Sequence, residues 1–187
     1  MQKVALDVVI QMIRKMEILH TPESEEHADR TSAMAVKIGD QLTLTNSEME
    51  LLMYGADIHD MGKVFIDANI LDKKGKLNKA QRAQMERHCE IGYEALEVIK
   101  PPKEILDIVL YHQEHWDGSG YPCRLKGDDI PLMARIVCIA DVWDALLSDR
   151  SYRNAYNQVK ALEIMVQHSA WFDPRLFGIF LGIVRGS

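Results

Sequence analysis

Apolar residues recur at helical intervals almost from end to end of this chain, which leaves little room for any architecture but packed helices. Leu6, Val9, Ile10, Ile13 and Met16 form a stripe in the first segment. Thr21-Pro22-Glu23 then reads as a cap, a proline at the first helical position and an acid in the first turn, opening a helix that runs to about residue 42. Asn46 or Ser47 caps the next, with Leu51, Leu52, Gly55 and Ile58 inward and Gly62 placed to end it. Asp72-Lys73-Lys74-Gly75 reads as a loop, and further helices are predicted over about 79–99, 103–115, 131–148, 157–169 and 174–184. No stretch alternates convincingly as a strand, so the expected fold class is all-α, a single helical bundle. The one long interruption is Trp116 to Ile130, where Gly118, Gly120, Pro122 and Gly127 fall close together. Loops of that length inside a domain are usually functional or disordered. Trp116, Tyr121 and Leu125 give this one apolar surface to pack, so an ordered loop between two helices is expected.

Composition narrows the function classes. With 47% hydrophobic and 27% charged residues over 187 positions, the chain is globular and able to bury ~70% of its unfolded surface. Its longest apolar-plus-glycine run, Leu176 to Val184, falls far short of the ~20 residues of a membrane span, and Asp7 breaks the first apolar stretch, so neither span nor signal peptide is expected. Cys89, Cys123 and Cys138 form no CxxC pair, which fits a reducing cytoplasm. A formal charge of −6 speaks against a long nucleic-acid partner. A small phosphate ester remains compatible if cations or metals are focused in one cleft.

Several residues could form such a cleft. His59 and Asp60 are adjacent, and neighbours on a helix diverge by ~100°, so both reach one metal only at a helix end. Gly62 supplies an end. Alone, the dipeptide reads more readily as a helix-end cap, and Lys63 as a cation on the helix dipole. Glu23 and His27 share a helical face, four residues apart. His88 precedes Ile91-Gly92, and His112 and His115 flank Gln113-Glu114 just before the glycine-rich loop. Asp141 follows Ile136-Val137-Cys138-Ile139-Ala140, where a buried carboxylate needs a metal or a salt bridge to a neighbour such as Arg135 or Arg150. Taken together, mixed imidazole and carboxylate donors suit Fe, Mn or Ni better than calcium or a thiolate-rich zinc site. A carboxylate beside a histidine can bridge two metals, and metal pairs are a recurrent means of phosphodiester hydrolysis.

His59-Asp60-Met61-Gly62-Lys63 and His112-Gln113-Glu114-His115-Trp116-Asp117-Gly118-Ser119-Gly120-Tyr121-Pro122 resemble the two signature motifs of the HD-GYP family. Supporting pieces follow in order: His27, His88 with Gly92, Ile130-Pro131, Ala134-Arg135-Ile136, Ala140-Asp141-Val142-Trp143-Asp144-Ala145-Leu146, Asp149-Arg150, Tyr152-Arg153 and Phe172-Asp173-Pro174. The resemblance covers roughly residues 21 to 182. It implies an HD-type helical bundle, with an N-terminal helix over 1–20 and a catalytic domain over 21–187. It also implies a centre of two divalent metals, iron or manganese, with room for a third, and hydrolysis of cyclic di-GMP to linear pGpG and onward to GMP. Carried over, the metal ligands are Glu23, His27, His59, Asp60, His88, His112 and Asp141. Asp60 and Lys63 become the catalytic residues, while Lys63, Gly120, Tyr121, Arg150 and Arg153 contact the dinucleotide. The family commonly has a second histidine where this chain has Gln113, which makes two full metal positions and a partial third the expectation. A cyclic-dinucleotide-binding or interaction module with weak or no turnover, or a phosphodiesterase preferring cyclic GMP-AMP, are the alternative readings. An upstream sensory domain, a GGDEF-type partner and a homodimer complete the implied company.

Overall fold

The computed structural model describes residues 3–21, 24–149 and 154–186; Glu23, Arg150 and Arg153 lie outside them. Within the described residues the periodicity resolves into α1 (Lys3–His20), α2 (Ser24–Gly39), α3 (Asn46–Asp57), α4 (Ala68–Leu71), α5 (Lys79–Glu86), α6 (His88–Glu97), α7 (Lys103–Tyr111), α8 (Leu132–Leu147), α9 (Gln158–Gln167) and α10 (Pro174–Arg185), with no strand. Short 3-10 turns occupy Met61–Phe65, Gly127–Asp129 and Ser169–Trp171. The fold is an all-α bundle.

Local chemistry sets the helix starts. Asp173 caps α10 by accepting from the amides of Arg175 and Leu176, with Pro174 at the first helical position. The cap of α3 is Thr45 and not Asn46 or Ser47. Its hydroxyl accepts from the Glu48 amide (3.2 Å), while the Glu48 carboxylate accepts from the Thr45 amide (2.7 Å). Three expected ends also move. α3 stops at Asp57, five residues before Gly62; the 79–99 segment breaks at Arg87 into α5 and α6; and α7 ends at Tyr111. Each break sits where tertiary packing overrides propensity. A Cβ on Gly62 would lie 1.9 Å from the His88 carbonyl oxygen, so the chain after α3 is pressed directly onto the backbone of α6.

α2 packs on α3 and α8, α7 on α3, α6 and α8, and α9 and α10 on α8. Two apolar cores result. Ala35, Ile38, Leu52, Ala56, Ile108, Ile136, Ile139, Trp143 and Phe180 anchor the larger, and Leu6, Ile10, Tyr54, Ile58, Leu96, Ile105 and Val109 the smaller. α3 and α7 feed both, so the ends of these helices are held from two sides. In α1, Leu6 and Ile10 face inward as expected, but Met16 is exposed, and the inward position next along the stripe is Glu17.

The close approach at Gly62 should be visible in stability. Gly62→Ala is expected to destabilise the protein by about 1–3 kcal/mol or more in chemical denaturation, because a backbone carbonyl cannot rotate away from the new methyl. Gly178→Ala, inside α10 with nothing near its Cβ position, should instead stabilise by about 0.5–1 kcal/mol.

Candidate metal centre

The site assembles where helices end. His59 and Asp60 follow α3, His88 opens α6, His112 follows α7, His27 lies one turn into α2, and Asp141 lies in the middle of α8. All are buried. Ending α3 at Asp57 is what lets adjacent His59 and Asp60 turn into the same space.

Each imidazole is anchored on its outer nitrogen. The Nδ1 of His59 reaches the Ala56 carbonyl oxygen (2.7 Å), that of His88 the Met85 carbonyl oxygen (2.7 Å), and that of His112 the Val109 carbonyl oxygen (3.1 Å). His27 Nδ1 meets the Asp144 carboxylate at 2.7 Å, and Arg30 holds that carboxylate from its other side at 2.5 Å. With Nδ1 anchored outward, the Nε2 atoms all point inward. His27 and His59 bring their Nε2 atoms to 3.3 Å, and His88 and His112 do the same.

Asp60 stands between these pairs. Its Oδ1 lies 3.4 Å from His88 Nε2 and 3.6 Å from His112 Nε2. Its Oδ2 lies 3.7 Å from His27 Nε2 and 3.6 Å from His59 Nε2, and it also pairs with the Lys63 ammonium. Asp141 closes the second group, with Oδ1 3.4 Å from His27 Nε2 and 3.9 Å from His59 Nε2. Asp60 Oδ1 is buried with no hydrogen-bond partner. A buried, unpartnered carboxylate oxygen facing imidazole lone pairs is chemically incomplete, and a divalent cation is what completes it. The donor sets fit two such ions sharing Asp60, one toward His27, His59 and Asp141, the other toward His88 and His112.

Protonation in the metal-free protein follows the same geometry. Burial would lower the His27 pKa, but hydrogen bonds to Asp141 and Asp144 outweigh it and raise the value to about 9. Burial lowers His59 to about 4 and His88 to about 3. Burial alone would raise Asp60 and Asp141; Lys63 and the imidazoles around Asp60, and His27 beside Asp141, hold both well below the usual carboxylate range instead.

The glycine-rich loop is ordered. Glu114 is buried and accepts the amides of Cys123 (2.6 Å) and Leu125 (3.1 Å), while the Tyr121 amide donates to the Gln113 carbonyl oxygen (3.1 Å). Gly120 is needed by proximity, since a Cβ there would sit 2.4 Å from the His115 nitrogen. These bonds bring the Tyr121 ring to 6.3 Å from that of His88, at the wall of the site. Lys63, Gly120 and Tyr121 are thus at or beside the cluster, whereas His115 is turned away and stacks on Trp171 at 4.4 Å. The Gln113 amide nitrogen donates to Asp141 Oδ2 at 2.8 Å, so this side chain steadies a carboxylate of the cluster. The salt bridge considered between Arg135 and Asp141 does not form, since Arg135 pairs with Asp128 and Asp173, and the one considered to Arg150 lies outside the described residues.

Glu17 was not expected at the site. It is 8% exposed, and burial together with the nearby Asp60 pushes its carboxyl up to about 8. Its signal was an acid continuing the Ile10-Ile13 stripe. Arg14, one turn earlier, ties α1 to Asp29 of α2 and Asp57 of α3. Asp144 was read only as part of a motif, yet it fixes the tautomer of His27.

Comparisons with known proteins identify the family. The profile of the HD domain family matches residues 10–176. The "3'3'-cGAMP-specific phosphodiesterase 2" of Vibrio cholerae is 38% identical over 162 residues, covering 85% of this chain and 31% of that protein. The "Cyclic di-GMP phosphodiesterase response regulator RpfG" of Xanthomonas campestris is 43% identical over 150 residues, covering 79% of this chain and 40% of that protein. The chain therefore spans well under half the length of these curated relatives. Among solved structures, Bd1817, an HDG"Y"P protein from Bdellovibrio bacteriovorus, superposes with a TM-score of 0.72 at 20% identity, covering 87% of this chain and 52% of that one.

Two expectations follow from the geometry. Asp144→Ala leaves His27 Nδ1 and Arg30 without their shared partner and should weaken divalent-metal affinity by about 10–100-fold in a competition titration. The second concerns acid. In unfolded chains His59 and His88 take up protons near pH 6.5, whereas in the fold they resist until about 4 and about 3. Metal-stripped protein should therefore lose stability as pH falls below about 6.5, by up to ~1.4 kcal/mol per pH unit for each imidazole. His27 has the opposite sign, its contribution present below about 6.5 and lost as pH rises through about 9. Urea midpoints of chelator-treated protein should peak between these limits; a flat profile, or stability that rises on acidification, would contradict the protonation states assigned above.

Proposed function

The chain belongs to the HD domain family, in its HD-GYP branch, and from that premise we propose that it is a metal-dependent phosphodiesterase acting on cyclic di-GMP, giving linear pGpG and, at a second cleavage, GMP. The observation that carries this reading is Asp60, whose two oxygens face separate groups of histidines and one of which is buried without a partner. His27, His59 and Asp141 would hold one divalent ion, His88 and His112 another, with Asp60 common to both and Glu23 available to a third. Iron or manganese bound there supplies Lewis-acid polarisation of the phosphodiester and activation of water.

The chain's own residues do the rest. Asp144 keeps His27 in the tautomer that presents Nε2 inward, and Gln113 steadies Asp141. Lys63, beside Asp60, carries the ammonium that meets the phosphate charge and can give a proton from Nζ to the departing ribose oxygen. Tyr121 and Gly120 wall the site. Arg150 and Arg153 are proposed as phosphate contacts, Arg150 worth about a tenfold loss in affinity on removal. A cytoplasmic location, a sensory domain ahead of α1 and a GGDEF-type partner belong to the same proposal. The relatives are two to three times longer than this chain, which supports a further domain. None of the described helices is long and apolar enough to cross a membrane.

A second reading, preference for cyclic GMP-AMP, is supported by the Vibrio cholerae relative. Incubating metal-loaded protein separately with cyclic di-GMP and 3'3'-cyclic GMP-AMP distinguishes the two. Cyclic di-GMP should be cleaved faster, and Asp60→Ala should lower the rate by at least about a hundredfold, since it removes a donor from both metal positions. Intact cyclic di-GMP in the presence of bound metal would end the proposal.

A further inference from the structure

One side chain in contact with the centre has no part in the reading so far. Cys89, next to His88 at the start of α6, is fully buried, and its Sγ lies 3.4 Å from His88 Nε2. The ligand atoms of His88, Cys89 and His112 all fall within 4.8 Å of one another. Cys138 provides the contrast: equally enclosed, it is packed into the larger apolar core among Ile136, Val137 and Ile139, and it joins no such group of donors among the described residues. Burial of a small apolar side chain therefore accounts for Cys138 but not for the direction in which the Cys89 sulfur points.

Four of the six donor separations around a metal ion here can be compared, and all four match. A tetrahedral ion with nitrogen ligands at about 2.05 Å and sulfur at about 2.3 Å keeps its donor atoms about 3.3–3.6 Å apart. His88 Nε2 and His112 Nε2 are 3.3 Å apart, Cys89 Sγ and His88 Nε2 3.4 Å, and the unpartnered Asp60 Oδ1 lies 3.4 Å and 3.6 Å from the two imidazoles. We propose that Cys89 is a thiolate ligand of the ion held by His88, His112 and Asp60, which makes this position selective for a softer divalent metal than its neighbour. The thiol proton passes to solvent as the metal takes the sulfur. The other position, built from imidazole and carboxylate alone, keeps the tolerance for manganese expected of nitrogen and oxygen donors, while sulfur shifts its partner position toward iron, cobalt or zinc. This rests on the metal-centre reading above and deepens it, turning two similar positions into two chemically distinct ones.

Cobalt separates the two claims. Metal-stripped full chain titrated anaerobically with Co(II) should develop visible ligand-field bands from cobalt at the centre. It should also develop a near-ultraviolet sulfur-to-cobalt charge-transfer band. That second band should vanish in both Cys89→Ser and Cys89→Ala and persist in Cys123→Ser and Cys138→Ala. Preference for zinc over manganese, from competition titrations, should fall about tenfold or more in Cys89→Ser. Ligand-field bands without the charge-transfer band in wild type would overturn the role of Cys89 and leave the metal centre standing. A charge-transfer band that survives Cys89→Ala and disappears in Cys123→Ser would overturn it equally. Absence of both spectra would remove the centre itself. The wild-type spectrum needs no variant, so a misfolded substitution cannot shelter the idea.

Discussion

A carboxylate taken out of water needs compensating charge, and Asp60 receives its compensation in two unequal parts. Lys63 pairs with Oδ2, whereas Oδ1 faces His88 and His112 with no hydrogen bond at all. Around it, the outward anchoring of Nδ1 brings imidazole Nε2 atoms to 3.3 Å in two pairs. Gathering these groups out of water carries a desolvation cost that the pairing offsets only in part. The polypeptide accepts this arrangement because its cores fix the helix ends regardless. Most of the cost is recovered only when cations enter, so folding and metal binding at this centre are thermodynamically linked.

Such a centre cannot be built from one flexible loop. Its donors come from the ends of α3 and α7, the start of α6 and the bodies of α2 and α8, so their separations are backbone separations. Glycine is used where two backbones must nearly touch. Gly62 lies against the His88 carbonyl, and a Cβ on Gly92, one turn further along α6, would meet Gly62 at 3.2 Å. Gly120 lets the loop close onto the end of α7 in the same way. Glu114 then binds the loop's amides from below, as a buried carboxylate whose hydrogen bonds are all made locally. The loop is long in sequence but short of freedom.

The helices themselves were legible because an apolar stripe at a 3.6-residue period depends only on local sequence. Their ends were not. Nothing local tells Ile58 that it lies past the last turn of α3, or Arg87 that it separates two helices; those boundaries follow from what Gly62 and His88 press against. Met16 fits the stripe as well as Glu17 fits badly, yet Glu17 is the buried one, because the end of α1 lies over Asp60 and Lys63 and not over hydrocarbon. The convergence of His27, His59, Asp60, His88, His112 and Asp141 could be named from motif resemblance. The orienting layer of Asp144, Gln113 and Glu114 could not, since a buried acid in a helix looks the same in sequence whichever residue it holds.

Charge explains why metals and substrate anions are bound to the same argument. The chain carries −6, and Asp60, Asp141 and Asp144 of that total are gathered at close quarters in the site. Nearby cations are committed elsewhere: Arg14 to Asp57 and Asp29, Arg30 to Asp144 and Glu26, Lys63 to Asp60. Glu17, held up to about 8, is neutral at physiological pH and so spares the site one further negative charge. For the proposed substrate, a dianionic dinucleotide, this surface is repulsive on approach, with screening setting in beyond ~8 Å at physiological ionic strength. The attraction must therefore be generated at contact, by divalent ions seated on Asp60 and by the few cations beside them. On the proposed reading, the same ions that complete the buried carboxylate are the ones that hold a phosphate.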